Sequence, residues 1–197
     1  MTAIVDYRAG NLTSVQLAFA AIGEAATVTD DPEVIVAADR VVFPGVGAAK
    51  SAMESLKRAG LVDAVRSAAL SGRPFLGICL GMQILFDHSE EDGGVDALGI
   101  FKGRVRRFPD QAGFKIPEIG WNQVREVDVK GEVGQRKEFY FVHSYYAEIG
   151  PETVGVSEYA GVEFTAMVKR GKLWACQFHP EKSGRVGLSL LKEWLAC

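Results

Sequence analysis

Cys79 lies in the segment Gly77-Ile78-Cys79-Leu80-Gly81, with the apolar pair Phe75-Leu76 before it and Met82-Gln83 after it. A nucleophile between small residues where a strand gives way to a helix is the nucleophile-elbow pattern, here with a thiol in place of the hydroxyl. The glycines let the backbone turn sharply and leave the sulfur at the tip, over the start of the next helix, whose dipole favours a thiolate. A buried structural cysteine is the bland alternative; the strand–turn–helix context favours catalysis. A thiol nucleophile needs a base, and there are three histidines. The pattern predicts a helix over 80–86, and His88 carried on that helix would stand roughly 13 Å from Cys79 and half a rotation away. His143, after the apolar run 139–142, is a candidate. His179 follows the run 174–178 and precedes Pro180 and Glu181, and a carboxylate two positions on can orient the imidazole and stabilise its charge. Cys79, His179 and Glu181 are therefore the favoured set. Pro44-Gly45-Val46-Gly47 reads either as a plain turn or as an oxyanion hole, with Leu80, the residue after the nucleophile, giving a second N–H donor.

The elements that must position these residues alternate in the first half. Strands are expected at 3–5, 41–43 and 75–78, the second broken by Pro44-Gly45-Val46-Gly47. Leu12, Val15, Phe19 and Ile22 fall on one helical face. Asp31-Pro32 opens a short helix with Asp as N-cap and Pro in its first turn. Residues 48–59 and 61–70 read as helices, the latter stopped by Ser71-Gly72. Short apolar strands alternating with helices imply a parallel sheet covered on both faces. The second half is richer in strands: 100–130 is strand-like, followed by 139–142, 153–156, 164–168 and 173–178. Lys169-Arg170-Gly171-Lys172 joins the last two as a hairpin. A closing helix carries Val186, Leu190, Leu191, Trp194 and Leu195 on one stripe. The fold class is thus α/β: an open, mixed and mostly parallel sheet with helices on both faces and an antiparallel-rich second half, all in one domain, 1–197.

Composition narrows the function. The 197 residues are 48% apolar and 24% charged, the proportions of a soluble globular protein. Lys and Arg number 22 against 25 Asp and Glu, a net charge of −3 that gives a nucleic-acid partner no electrostatic support. No apolar run suits a membrane helix, and the N-terminus lacks the pattern of a secretory signal. Three scattered cysteines, Cys79, Cys176 and Cys197, argue against a disulfide framework, and no Cys/His spacing suggests a metal. A reducing cytoplasmic setting without a cofactor is the expectation.

Pro74-Phe75-Leu76-Gly77-Ile78-Cys79-Leu80-Gly81-Met82-Gln83 together with Gln177-Phe178-His179-Pro180-Glu181-Lys182 resembles the class I, triad-type glutamine amidotransferases. More narrowly, the chain is similar to the glutaminase subunits of imidazole glycerol phosphate synthases of histidine biosynthesis. That likeness rests on Asp6-Tyr7, Gly10-Asn11-Leu12, Pro44-Gly45-Val46-Gly47, Gly120-Trp121-Asn122, Val142-His143-Ser144-Tyr145-Tyr146 and Pro180-Glu181-Lys182-Ser183-Gly184. The resemblance implies the flavodoxin-like amidotransferase fold and a triad in which Cys79 attacks the carboxamide of glutamine, His179 moves protons and Glu181 orients His179. It implies that Gly47, Gln83, Ser144 and Tyr145 hold the glutamine, and that the amides of Val46, Gly47 and Leu80 form the oxyanion hole. It further implies a heterodimer with a (β/α)₈-barrel cyclase, approached through Asn11, Trp121 and Lys182.

Two positions depart from the family pattern. Arg8 replaces the first glycine of Asp-Tyr-Gly-x-Gly-Asn, and Glu118 stands where His or Gln is expected. The nearest rival is an amidotransferase subunit serving anthranilate or aminodeoxychorismate synthesis, which would share the triad but differ in the Gly-Trp-Asn and Pro-Glu-Lys-Ser-Gly blocks. A stand-alone cysteine hydrolase and a silent docking module are the others.

Overall fold

A computed structural model describes residues 1–8, 11–127 and 133–197. Gly10 of the opening motif and residues 128–130 of the strand-like stretch lie outside them. The first half runs β1 (Thr2–Val5), α1 (Leu12–Ala21), β2 (Ala26–Thr29), α2 (Pro32–Ala37), β3 (Arg40–Gly45), α3 (Ala49–Arg58), α4 (Val62–Leu70), β4 (Phe75–Cys79) and α5 (Leu80–Gln83). There follow β5 (His88–Ser89), β6 (Val95–Asp96), β7 (Arg104–Arg107), β8 (Glu118–Val127), β9 (Val133–His143) and β10 (Tyr145–Ala147). The chain then forms β11 (Thr153–Tyr159), β12 (Val162–Arg170), β13 (Leu173–Cys176) and α6 (Gly184–Leu195), with 3₁₀ turns at Glu91–Gly93 and Pro180–Lys182.

The spine is a parallel run in the order β2-β1-β3-β4-β13. From β13 the sheet continues antiparallel through β12, β10 and β7, and β8 and β9 form a long antiparallel pair joined to it through β11. Alternation along the spine sorts the core onto two faces. Ala3, Val5, Val41, Phe43 and Phe75 face the side packed by α2, α3 and α4, while Ile4, Val42, Leu76 and Ile78 face α1 and α6. On the second side Phe19 meets Trp194 with ring centroids 5.8 Å apart, so the closing helix is anchored through its expected stripe. Asp31 caps α2 as expected, accepting from the Glu33 N–H at 2.8 Å with Pro32 in the first turn. The hairpin between β12 and β13 turns at Gly171, φ +59°.

Three expectations need correction. The helix over 80–86 is one turn, Leu80–Gln83. The next N–H groups make shorter i→i−3 bonds, Leu85 to Met82 and Phe86 to Gln83. The carbonyls of Ile84, Leu85 and Phe86 are then taken by N–H groups of 98–101, which diverts them from any continuing helix. His88 consequently belongs to β5, where it pairs with Asp96, and its separation from Cys79 along a shared helix has no meaning. Pro44 and Gly45 do not break β3: they stay in register opposite Ile78 and Cys79. Beyond Val42 the strand has left its β1 neighbour, so the proline sits at a free edge where its missing N–H is tolerated. Strand β2 was not among the expected elements, because its half-exposed Ala-Thr-Val-Thr sequence carries no buried run.

Candidate active site

The elbow is built by close packing. Cys79 has φ +54° and ψ −112°, a backbone conformation that L-residues rarely adopt. Gly81 is required by contact, since a Cβ there would collide with the Phe43 carbonyl, and Gly77 is closely packed, a Cβ there standing 3.0 Å from the Ala175 Cβ and 3.1 Å from the Gly81 carbonyl. Gly45, opposite Cys79 in β3, has the same constraint from the Tyr7 hydroxyl. Burial, with the Cys79 sulfur nearby, pushes the Tyr7 phenol up, so it stays neutral beneath the turn. A single-turn α5 contributes little macrodipole, which weakens the helix-dipole part of the sequence argument.

His179 follows β13, and its imidazole Nδ1 lies 2.7 Å from Glu181 Oε1, both side chains buried. The carboxylate accepts Nδ1–H, which leaves Nε2 as the working nitrogen. Burial opposes charge on this ring, but the Cys79 sulfur and then the Glu181 carboxylate outweigh it and push His179 up to about 10. Ser183 clamps the segment: its hydroxyl accepts from the Tyr140 N–H at 3.0 Å and donates to the His179 carbonyl at 2.6 Å. The other candidate base is engaged elsewhere. His143 presents Nδ1 to the Tyr145 carbonyl at 2.8 Å and Nε2 to Glu118 at 3.0 Å. Glu118, the departure from the family pattern, is thus the buried partner of His143.

A cavity of about 370 Å³ opens over the sulfur, of a size for one small ligand. It brings together Cys79, His179, Val46, Gly47 and Leu80 with Gln83, Ser144 and Tyr145, every residue expected at the oxyanion hole and on the glutamine. Glu181 stands behind His179. Glu91 also lines the cavity, Oε2 accepting from the Ala49 N–H at 2.6 Å, and burial raises its carboxyl despite that bond. Sequence reasoning missed it, since Glu90-Glu91-Asp92 reads as a solvated acidic run.

The residues expected at a partner interface, Asn11, Trp121 and Lys182, are all exposed. Lys182 lines the cavity from the exposed side, with Nζ 5.9 Å from the Tyr140 ring centroid, and Tyr140 meets Trp121 at 6.3 Å. Trp121 is 57% and Ile119 64% exposed, on alternate residues of β8. Asn11 is exposed but has local work, capping α1 by accepting from the Ser14 N–H at 3.3 Å. A larger cavity of about 570 Å³ beside α6 holds no nucleophile, and its cations Lys137 and Lys169 pair with Glu126 and Glu193.

A cysteine elbow at the C-terminal end of a parallel strand, with a buried His–Glu pair in the turn after the neighbouring strand β13, marks the class. The family described as glutamine amidotransferase class-I matches residues 3–196, and the chain belongs to it. Within that class it is similar to two proteins named imidazole glycerol phosphate synthase subunit HisH. The one from Moorella thermoacetica is 50% identical over 198 residues, 98% of this chain and 92% of its own. The one from Streptococcus sanguinis is 43% identical over 196 residues, 98% of this chain and 95% of its own. A solved structure described as a glutamine amidotransferase agrees in fold, with a TM-score of 0.74 at 19% identity over 98% of this chain and 97% of that one.

Proposed function

We propose that residues 1–197 form one glutaminase domain that supplies ammonia as the amidotransferase subunit of an imidazole glycerol phosphate synthase. The observation that carries this is the buried His179–Glu181 pair in the same cavity as the strained Cys79, with Gln83, Ser144 and Tyr145 on its walls. The Cys79 thiol gives its proton to His179 Nε2, and Glu181 holds the imidazolium. The thiolate attacks the side-chain carboxamide of glutamine. Negative charge develops on the carbonyl oxygen, which the amides of Val46, Gly47 and Leu80 receive. His179 returns its proton to the departing nitrogen, ammonia leaves, and a thioester remains. Water, deprotonated by His179, then hydrolyses the thioester to glutamate and restores the thiol. Glu91, on the cavity wall, is the carboxylate available to the ammonium of the bound amino acid.

Free ammonia is mostly protonated at neutral pH and useless as a nucleophile, so delivery to an adjoining site is an advantage. The partner in this reading is the cyclase subunit, a (β/α)₈ barrel that makes imidazole glycerol phosphate and an aminoimidazole carboxamide ribotide, docked over Asn11, Trp121 and Lys182. The names of the relatives and the exposed Trp121, whose neighbour Tyr140 lies under Lys182 of the cavity wall, support it. Contact with the cyclase completes a site that is poor in isolation. The test measures glutamate release by the chain alone, with the cyclase, and with the cyclase and its nucleotide ligand. Stimulation that disappears in C79A is expected. Full turnover without the cyclase defeats the partner-completed site, and unchanged turnover in C79A defeats the triad.

A further inference from the structure

Two polar groups make hydrogen-bond contacts with the Cys79 sulfur. The Val142 carbonyl, at 3.9 Å, is an acceptor and so suits the thiol. The Gln177 carboxamide Nε2, at 3.6 Å, is a donor and so suits the thiolate. Gln177 is fully buried, and no role follows for it from the triad.

The direction in which Gln177 presents its amide is decided by a chain of contacts. The Tyr145 carbonyl can only accept, and it takes bonds from His143 Nδ1 and from Gln83 Nε2, each at 2.8 Å. Gln83 must therefore turn its NH₂ end that way. Its second N–H is spent on Gln177 Oε1 at 2.9 Å. With the oxygen of Gln177 fixed toward Gln83, the nitrogen is left facing the sulfur. At the far end, His143 Nε2 lies 3.0 Å from Glu118 Oε2, and Glu118 Oε1 accepts from Asn122 Nδ2 at 2.8 Å. His143 is thus held through its Nδ1 contact with the Tyr145 carbonyl and by the buried Glu118 carboxylate beside Nε2. A flipped amide at Gln83 would aim oxygen at two oxygens, and a flipped Gln177 would aim oxygen at sulfur.

We propose that Gln177 is a further catalytic residue, its N–H stabilising the Cys79 thiolate, and that Gln83, anchored on the Tyr145 carbonyl, is the positioning residue that orients it. This rests on the reading of Cys79 as the nucleophile. A hydrogen bond to the charged form favours that form, and a charge-assisted bond is about twice as strong as a neutral one. The other titratable groups around the sulfur are His179 with Glu181 behind it, Tyr7 after β1, Cys176 on β13, and Glu91, His143 and Lys182 on the cavity wall.

The experiment follows iodoacetamide labelling of Cys79 in the full chain, read on the Cys79 peptide by mass spectrometry so that Cys197 does not interfere. No glutamine or cyclase is present. At pH 7, Q177L is expected to label about tenfold more slowly than the parent, the equivalent of roughly one pH unit. The deficit closes as pH rises and the thiolate forms without help. Q177E, similar in shape but presenting oxygen to the sulfur, labels more slowly still at pH 7. Q83L shows a smaller deficit with the same pH dependence. Equal rates in the parent, Q177L and Q177E overturn the proposal, as does a Q177L deficit that persists at high pH, which marks lost geometry instead. Parent-like labelling in Q83L overturns the orienting part. Because labelling needs no turnover, a failure of the glutaminase reading shows separately, as absent glutamate release with the labelling order intact.

Discussion

At position 79 strain and chemistry occupy one residue. The thiol sits on a backbone with φ +54°, a conformation that costs of order 1–3 kcal/mol for a residue with a Cβ. Replacing Cys79 by Gly removes that strain together with the nucleophile. C79G is therefore expected to unfold at no lower urea concentration than the parent while losing all glutaminase activity. The mirror experiment is G81A, which drives a methyl into the Phe43 carbonyl and is expected to destabilise by about 3 kcal/mol or more in the same titration. His179 supplies a pH prediction. Its value is raised from 6.5 to about 10, so the stability gained by holding its proton is complete below pH 6.5 and is lost as pH climbs through about 10. The urea-midpoint gap between the parent and H179Q should accordingly narrow between pH 7 and pH 10. A gap that widens over that range contradicts the assignment.

At the scale of elements, the triad depends on how two chain segments are tied. His179 and Glu181 belong to the turn after β13, whose N–H at His179 bonds the Tyr140 carbonyl of β9 at 2.9 Å. Ser183 adds two bonds from one buried hydroxyl. S183A leaves the Tyr140 N–H without its partner, at an expected cost of about 1–3 kcal/mol by denaturant unfolding. Glutaminase activity should fall further than folding alone explains, because the His179 carbonyl loses its tether. The elements also show where sequence reasoning stops. The buried strands β1, β3 and β4 were legible because a run packed on both faces must be apolar throughout. The length of α5 was not. Met82 to Phe86 is as apolar as a helix needs, but the carbonyls of 84–86 bond to 98–101, partners that local periodicity cannot reveal.

Over the whole molecule, β8 carries two large apolar side chains on an exposed surface. Ile119 and Trp121 project outward from β8, while Glu118 between the same strands points inward to His143. Large aromatic residues of this kind dominate association energies where they are buried by a partner. W121A is expected to weaken binding to the cyclase by about 2 kcal/mol, roughly thirtyfold in Kd, measured by titration calorimetry. Its iodoacetamide labelling of Cys79 should stay at the parent rate, since Trp121 takes no part in the contacts around the sulfur.

The sequence alone pointed to the inner strands of the spine, to the elbow, and to Cys79, His179 and Glu181 as the candidate triad. Local spacing carries those signals: glycines where a Cβ cannot fit, apolar runs where strands are buried, and a carboxylate two residues beyond an imidazole. Only the tertiary structure shows what each histidine stands against, His179 against Glu181 and His143 against the Tyr145 carbonyl and Glu118. It alone added Glu91 to the cavity wall, gave Glu118 a partner and set the amide of Gln177 toward the sulfur. Those contacts join residues far apart in the chain, and their geometry is fixed by strand pairing and packing, which no short window of sequence contains.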